Sequence, residues 1–157
     1  MSEQPPAVLV SACLLGVACN HRGGSSPSIA VADLAAGHRL IPVCPEVAGG
    51  LPTPRPAAER GDDGQVRTGA GEDVTDFYLR GADHALALAR AASVVGAVLK
   101  ARSPSCGCGP VYDGTFSRTL AARPGVTAAA LAAAGVPVCS EEDLRPSGPL
   151  PWDPPGA

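Results

Sequence analysis

The residues best able to do chemistry in this chain are its six cysteines, at positions 13, 19, 44, 106, 108 and 139, no two of which are spaced as a C-x2-C pair. Cys13, Cys44 and Cys106 each come zero to seven residues after a short apolar run: Ala7 to Val10, Arg39 to Val43 and Val94 to Leu99. If those runs are parallel strands, their carboxyl ends open on one edge of the sheet, and three thiols remote in sequence converge there. Three converging thiolates repel one another and oxidise readily, so a cation that neutralises them is the simplest explanation. Sulfur-only ligation favours zinc, copper(I) or an iron–sulfur cluster. Zinc sites usually close with four ligands, commonly in C-x2-C pairs, and the one-residue gap of Cys106-Gly-Cys108 is too short for a usual zinc knuckle. A cluster held by three cysteines leaves one iron uncovered, free to act as a Lewis acid. The plain alternative is a set of buried apolar cysteines with no ligand. Cys139, at a strand end, reads as core. Cys19 and Cys108 lie near enough to the three to substitute as donors or to take up sulfur transiently.

The elements that would position these thiols alternate between strand and helix. Ala7 to Val10 leads into Ser-Ala-Cys-Leu-Leu-Gly, a strand feeding a turn. Ser28 to Gly37 carries a helical pattern closed by glycine, and Arg39 to Val43 is a second strand ending at Cys44-Pro45-Glu46. Gly49 to Gly71, rich in Pro, Gly, Arg and Asp, is long for an unstructured connection and reads as a functional loop or lid. The clearest helix is "GEDVTDFYLRGADHALALARAA": Asp73 can cap it, Asp76 sits in a capping arrangement, and Val74, Phe77, Gly81, Ala85, Leu88 and Ala92 line one face. Val94 to Leu99 suits a central strand covered on both faces. A further helix is predicted from about Thr127 to Gly135, then a last strand from Val136 to Val138. Together these predict a single α/β domain over residues 1–146, a three-layer structure around a mostly parallel sheet. The tail, residues 147–157, is too rich in proline for regular structure and reads as mobile, with Trp152 a packed or loose tail residue rather than a docking anchor.

Composition narrows the classes of function. A net charge of −3, no dense Lys/Arg run and 3% aromatic residues argue against long nucleic acid as a partner. No apolar stretch is long enough for a membrane span, and MSEQPPAVLV lacks the features of a secretory signal, so the expectation is a cytoplasmic protein with free thiols. No internal repeat is visible.

The segments "VSACLLG", "PVCPEVAGGLPTPR", "GEDVT", "LKARSPSCG" with "VYDGTFS", and "GVTAAAL" followed by "VCSE" resemble, in order and over roughly residues 8 to 144, the DUF523 family, whose characterised members are thiouracil desulfidases. The resemblance implies a Rossmann-like domain carrying a [4Fe-4S] cluster on Cys13, Cys44 and Cys106, with substrate sulfur at the open iron and a thiolated pyrimidine as partner. It further implies that Glu46 transfers protons and that Ser103 offers the substrate a hydroxyl. This chain departs from the family in one loop, where "CNHRGGSS" stands in place of the C-R-Y-D-G of many members.

Pro104 restricts Ser103 to an extended backbone and so helps aim its hydroxyl, while Ser105 either holds the turn or joins it at the substrate. Backbone N–H groups near Gly107 and Gly109 are candidate donors to cluster sulfides. Lys100 is the only lysine among arginines, which hints at a compact ammonium at the site mouth. Arg55 either reaches the pocket from the long loop or faces solvent. No histidine shows ligand spacing. Competing functions are desulfidation of 4-thiouridine or another thionucleoside, a non-enzymatic iron–sulfur sensor or sulfur carrier, and a zinc-stabilised binding module.

Overall fold

The computed structural model describes residues 3–156; Met1, Ser2 and Ala157, the outermost residues of the expected domain and tail, lie outside it. Along the chain run β1 (Ala7–Ser11), α1 (Ile29–Asp33), β2 (Arg39–Val43), α2 (Pro45–Ala48), β3 (Ala58–Arg60), β4 (Val66–Thr68), α3 (Thr75–Ala91), β5 (Gly96–Leu99), β6 (Val111–Tyr112), β7 (Leu120–Ala121), α4 (Val126–Ala133) and β8 (Val138–Ser140). Four strands form a parallel sheet in the order β2-β1-β5-β8, as the alternation of apolar runs and helices predicts.

β1 and β5 sit at the centre and every residue in them is buried. Alternate side chains of a strand point to opposite faces, so both faces must be apolar and the run reads as continuous. Leu9, Ala97 and Leu99 meet Ala85 and Ala89 of α3 and Ala128 and Leu131 of α4. Val8, Val10 and Val98 meet Leu14, Val31 of α1 and Cys139 on the other side. Helices therefore cover both faces, which makes the three layers.

The element boundaries move for identifiable reasons. β5 begins at Gly96 because the Val94 N–H closes the end of α3 on the Ala89 carbonyl at 3.1 Å. β8 begins at Val138, after Pro137, which has no N–H to give the ladder. Ser28 caps α1 by accepting the Val31 N–H at 3.3 Å, but the α-helix lasts only to Asp33 and continues as a 3₁₀ turn. The capping box expected from Asp73 and Asp76 does not form. Val74 is the N-cap, and Asp73 accepts the Thr75 N–H at 2.9 Å in a local turn. The buried face of α3 runs through Tyr78, Gly81, Ala82, Ala85 and Ala89, a line of mostly small residues that the hydrophobic pattern, weighted toward Phe77 and Leu88, places slightly off.

The long segment after α2 is not a bare loop: β3 and β4 pair in an antiparallel hairpin, and β6 and β7 form a second. Strands of two or three residues in polar, Gly- and Pro-rich sequence leave too little alternation to detect. In the tail, Trp152 is a packed residue: it lies over Gly96 so closely that a Cβ there would collide with the indole Cε3. Its Nε1 donates to His38 Nε2 at 3.2 Å, and the two rings meet edge to face. No helix among the described residues is long and apolar enough to cross a membrane.

Candidate active site

The chain leaves β1 for β2 on one side and returns to β5 on the other, so the strand order reverses between β1 and β5. In an open parallel sheet such a reversal creates a crevice at the strands' carboxyl ends. Here the crevice is a cavity of about 590 Å³, within the range of small-molecule sites. Cys13, Cys44 and Cys106 all line it, together with Cys19. Cys108 and Cys139 do not: Cys108 packs at the edge of the α3–α4 core and Cys139 is buried on the opposite face of the sheet.

Burial raises the Cys13 thiol from 9.0 to about 11, with Cys44 adding to the rise. Burial likewise pushes Cys106 up to about 12, against an opposing hydrogen bond from Ser11, and Cys19 up to about 12 with help from Cys44. Such thiols stay protonated at neutral pH unless a cation is bound, because a metal ion favours the thiolate and reverses the effect of burial. Among the described residues no three His, Cys, Asp or Glu side chains are gathered as a single ion would require. The sulfur donors on the cavity wall fit a soft metal or an iron–sulfur cluster better than a hard cation.

Glu46 lies in the first turn of α2, two residues beyond Cys44. α2 can sit there because Gly49 and Gly81 carry no side chain: a Cβ on Gly81 would collide with the Pro45 carbonyl, and one on Gly49 with the Phe77 carbonyl. Arg55 reaches the cavity from the long loop and is buried rather than facing solvent. Its Nε and Nη2 reach Glu46 Oε2 at 2.7 and 2.6 Å, Nη1 donates to Pro52 O and Thr53 Oγ1, and Nη2 donates to the Cys19 carbonyl at 2.9 Å and lies 4.0 Å from Cys44 Sγ. The guanidinium thus ties the Cys19 loop, Cys44 and Glu46 into one unit.

Ser103 connects that unit to the third thiol. Its hydroxyl accepts the N–H groups of Ser105 and Cys106 at 3.1 and 3.0 Å and donates to Glu46 Oε1 at 3.4 Å. Ser105, by contrast, is fully buried behind the cavity wall, its hydroxyl 2.9 Å from Thr127 Oγ1. It cannot touch a ligand there. The same loop supplies the start of α4 with its cap, as Pro104 and Ser105 carbonyls accept the N–H groups of Val126, Thr127 and Ala128. The Gly107 N–H is taken by the Ser103 carbonyl at 2.9 Å and Gly109 is exposed outside the cavity, so neither offers the donor expected of it.

Lys100 does line the cavity, with its Nζ 3.3 Å from Glu141 Oε1, so its charge is matched. The "CNHRGGSS" loop also reaches the wall. Asn20 Oδ1 shapes it by accepting the N–H groups of Arg22 and Gly24, and His21 holds the Arg55 N–H through its carbonyl. Burial and the neighbouring Arg22 lower the His21 pKa. Sequence reasoning missed Ser11, whose hydroxyl receives the Lys100 N–H at 2.9 Å and supports Cys106, and the aromatic wall of Tyr78, Tyr112 and Phe116. The signal available was compositional: a chain with so few aromatics puts both tyrosines at one cavity.

A three-layer α/β domain with a parallel sheet, a cavity at its switch point and thiols on the cavity wall defines a Rossmann-like protein. The chain belongs to the 2-thiouracil desulfurase family, whose model matches residues 8–143. It is similar to the uncharacterized protein YbbK of Bacillus subtilis (strain 168), with 40% identity over 147 residues covering 88% of this chain and 97% of that one. Among solved structures it is similar to the [4Fe-4S]-dependent thiouracil desulfidase TudS, with a TM-score of 0.82, 45% identity and coverage of 88% of this chain and 93% of the other.

Proposed function

We propose that this protein is a [4Fe-4S]-dependent desulfidase that exchanges the sulfur of a thiolated pyrimidine, 2-thiouracil in the first instance, for oxygen from water. The balance is hydrolytic: a C=S bond becomes C=O, water supplies the oxygen, sulfur leaves as hydrogen sulfide, and no net electrons move. The observation that carries the reading is the convergence of Cys13, Cys44 and Cys106 on the cavity that also holds the Arg55–Glu46 pair. Similarity to the thiouracil desulfidase TudS supports it.

Cys13, Cys44 and Cys106 would hold the cluster as thiolates. When bound, it supplies an iron without a protein ligand, a Lewis acid suited to a soft thiocarbonyl sulfur. Glu46 takes one proton of the water that adds to the ring carbon and returns it to the departing sulfur, and the second proton passes from the new hydroxyl to that sulfur as the carbonyl forms. Arg55 orients that carboxylate through Oε2, which leaves Oε1 toward Ser103 and the reacting atoms. Ser103, with both lone pairs on backbone N–H groups, presents its proton rather than its oxygen, so it donates to Glu46 or to the substrate. Cys19, Lys100 and Ser11 hold the walls.

The test is anoxic purification, iron and sulfide analysis, and assays of sulfide release from free 2-thiouracil and from 4-thiouridine side by side. Iron-loaded protein that desulfurates 2-thiouracil, with Glu46→Gln retaining iron but losing about 10²-fold or more in turnover, is the expected result. Protein that is metal-free yet active, or iron-loaded and inert toward both compounds, overturns it.

A further inference from the structure

The chain contains one tryptophan, two tyrosines and two phenylalanines, and both tyrosines and one of the phenylalanines line the proposed active-site cavity. Tyr78 is buried in the wall, while Tyr112 and Phe116 are exposed on the hairpin formed by β6 and β7. Phe116 is the residue whose placement needs explanation. Its φ of +56° is in the left-handed region, where a bulky side chain is a genuine outlier, and Arg118, which also lines the cavity, has a φ of +60°. Strained backbone of this kind persists only where the surroundings over-determine it, and it clusters at ligand sites.

The surroundings do over-determine it. Glu59 Oε1 accepts the N–H groups of Gly114 and Phe116 at 3.0 and 3.1 Å, which binds this hairpin to β3. Gly114 lies so close to Gly61 that any side chain there would meet the Gly61 Cα at 2.8 Å. Arg123 Nη2 ties Arg60 O to Asp113 O at 3.1 and 2.8 Å. One edge of the Phe116 ring rests near Gly69, and the residue is 41% exposed. A ring left so exposed on a cavity wall gains less from burial than a core side chain, and what it offers a ligand is a flat π surface.

We propose that Phe116 is a specificity-determining residue that stacks on the heteroaromatic ring of the substrate, with Glu59 as the positioning residue that holds it there. This inference rests on the desulfidase reading and deepens it, because it says how a site built on sulfur chemistry selects a planar base over any other thiocarbonyl compound. Stacking of a base on an aromatic side chain is strong enough to shift affinity tenfold or more.

The experiment uses cluster-loaded protein prepared without oxygen and two unreactive probes, uracil and its non-aromatic counterpart 5,6-dihydrouracil, with affinities from equilibrium dialysis. Wild-type protein is expected to prefer uracil by about tenfold. Phe116→Leu should abolish that preference, Phe116→Tyr should keep it, and KM for 2-thiouracil should rise in Phe116→Leu with kcat little changed. Glu59→Ala should reduce the preference, and Glu59→Gln, whose amide oxygen can accept both N–H groups, should restore it. A merely structural ring would weaken both probes equally, so an unchanged uracil preference in Phe116→Leu at unchanged iron content overturns the inference while leaving the desulfidase reading intact. If wild-type protein neither binds uracil nor releases sulfide from 2-thiouracil, the reading itself falls and takes the inference with it.

Discussion

Two nitrogens of Arg55 converge on one oxygen of Glu46, Nε at 2.7 Å and Nη2 at 2.6 Å from Oε2, and the other carboxylate oxygen is left to the Ser103 hydroxyl. With side chains only 3% and 13% exposed, this pair is buried, and removal of one partner strands the other's charge. Arg55→Ala is expected to cost about 3–5 kcal/mol of stability in urea denaturation. Arg55→Lys keeps the charge but not the planar fork that also reaches Cys19 and Thr53, so turnover should still fall, with cluster iron retained.

The three proposed cluster ligands should separate from the cysteines outside the cavity by iron content. After anoxic reconstitution, Cys13→Ser, Cys44→Ser and Cys106→Ser each lose most of their iron, whereas Cys108→Ser and Cys139→Ser, whose sulfurs lie outside the cavity, retain it. Full iron in any of the first three variants removes that residue from the ligand set.

Ser105 was a candidate for substrate contact, and its bond to Thr127 gives it a different task. Ser105→Ala leaves a buried hydroxyl unpaired and should cost about 1–3 kcal/mol, as should Thr127→Val. The double variant should cost less than the sum, because no orphaned group is left. KM for 2-thiouracil stays at the wild-type value throughout.

Trp152 makes the tail part of the fold. It is only partly buried, so Trp152→Ala is expected to cost about 2 kcal/mol, below the 3–5 kcal/mol of a fully buried ring. Gly96→Ala should do comparable damage from the other side of the contact, because its new methyl group occupies the space of the indole. In both variants limited proteolysis should cleave the tail faster than in the wild type.

Burial of Cys139 raises its thiol from 9.0 to about 12. In that window the unfolded chain has released a proton that the folded chain still holds, so stability is full below 9.0 and declines as pH rises toward 12. Urea midpoints of the cluster-free protein measured across this range should fall, and Cys139→Ala should make the fall shallower. An identical slope in the variant would show that Cys139 contributes nothing to it.

The central sheet was legible because its signals are local. Val8, Leu9, Val10, Ala97, Val98 and Leu99 are apolar at every position, a pattern that only a strand covered on both faces requires. The strand ends that carry Cys13, Cys44 and Cys106 could be read directly, and a parallel sheet puts all such ends on one edge. The hairpins could not be read, since pairs as short as Val111–Tyr112 with Leu120–Ala121 are held by partners distant in sequence, including Glu59 and, through Arg123, Arg60.

The sequence by itself determined the α/β alternation, the thiols at the strand ends and the membership of a sulfur-chemistry family, because each depends on residue type and short-range spacing. Only the tertiary structure decided which side chains share the cavity: that Arg55 turns inward to Glu46, that Ser105 turns away to Thr127, that Trp152 returns to Gly96, and that Phe116 stands at the mouth. Those choices are contacts between segments 9 to 57 residues apart, fixed by close approach and hydrogen-bond partnering, and no local pattern encodes them.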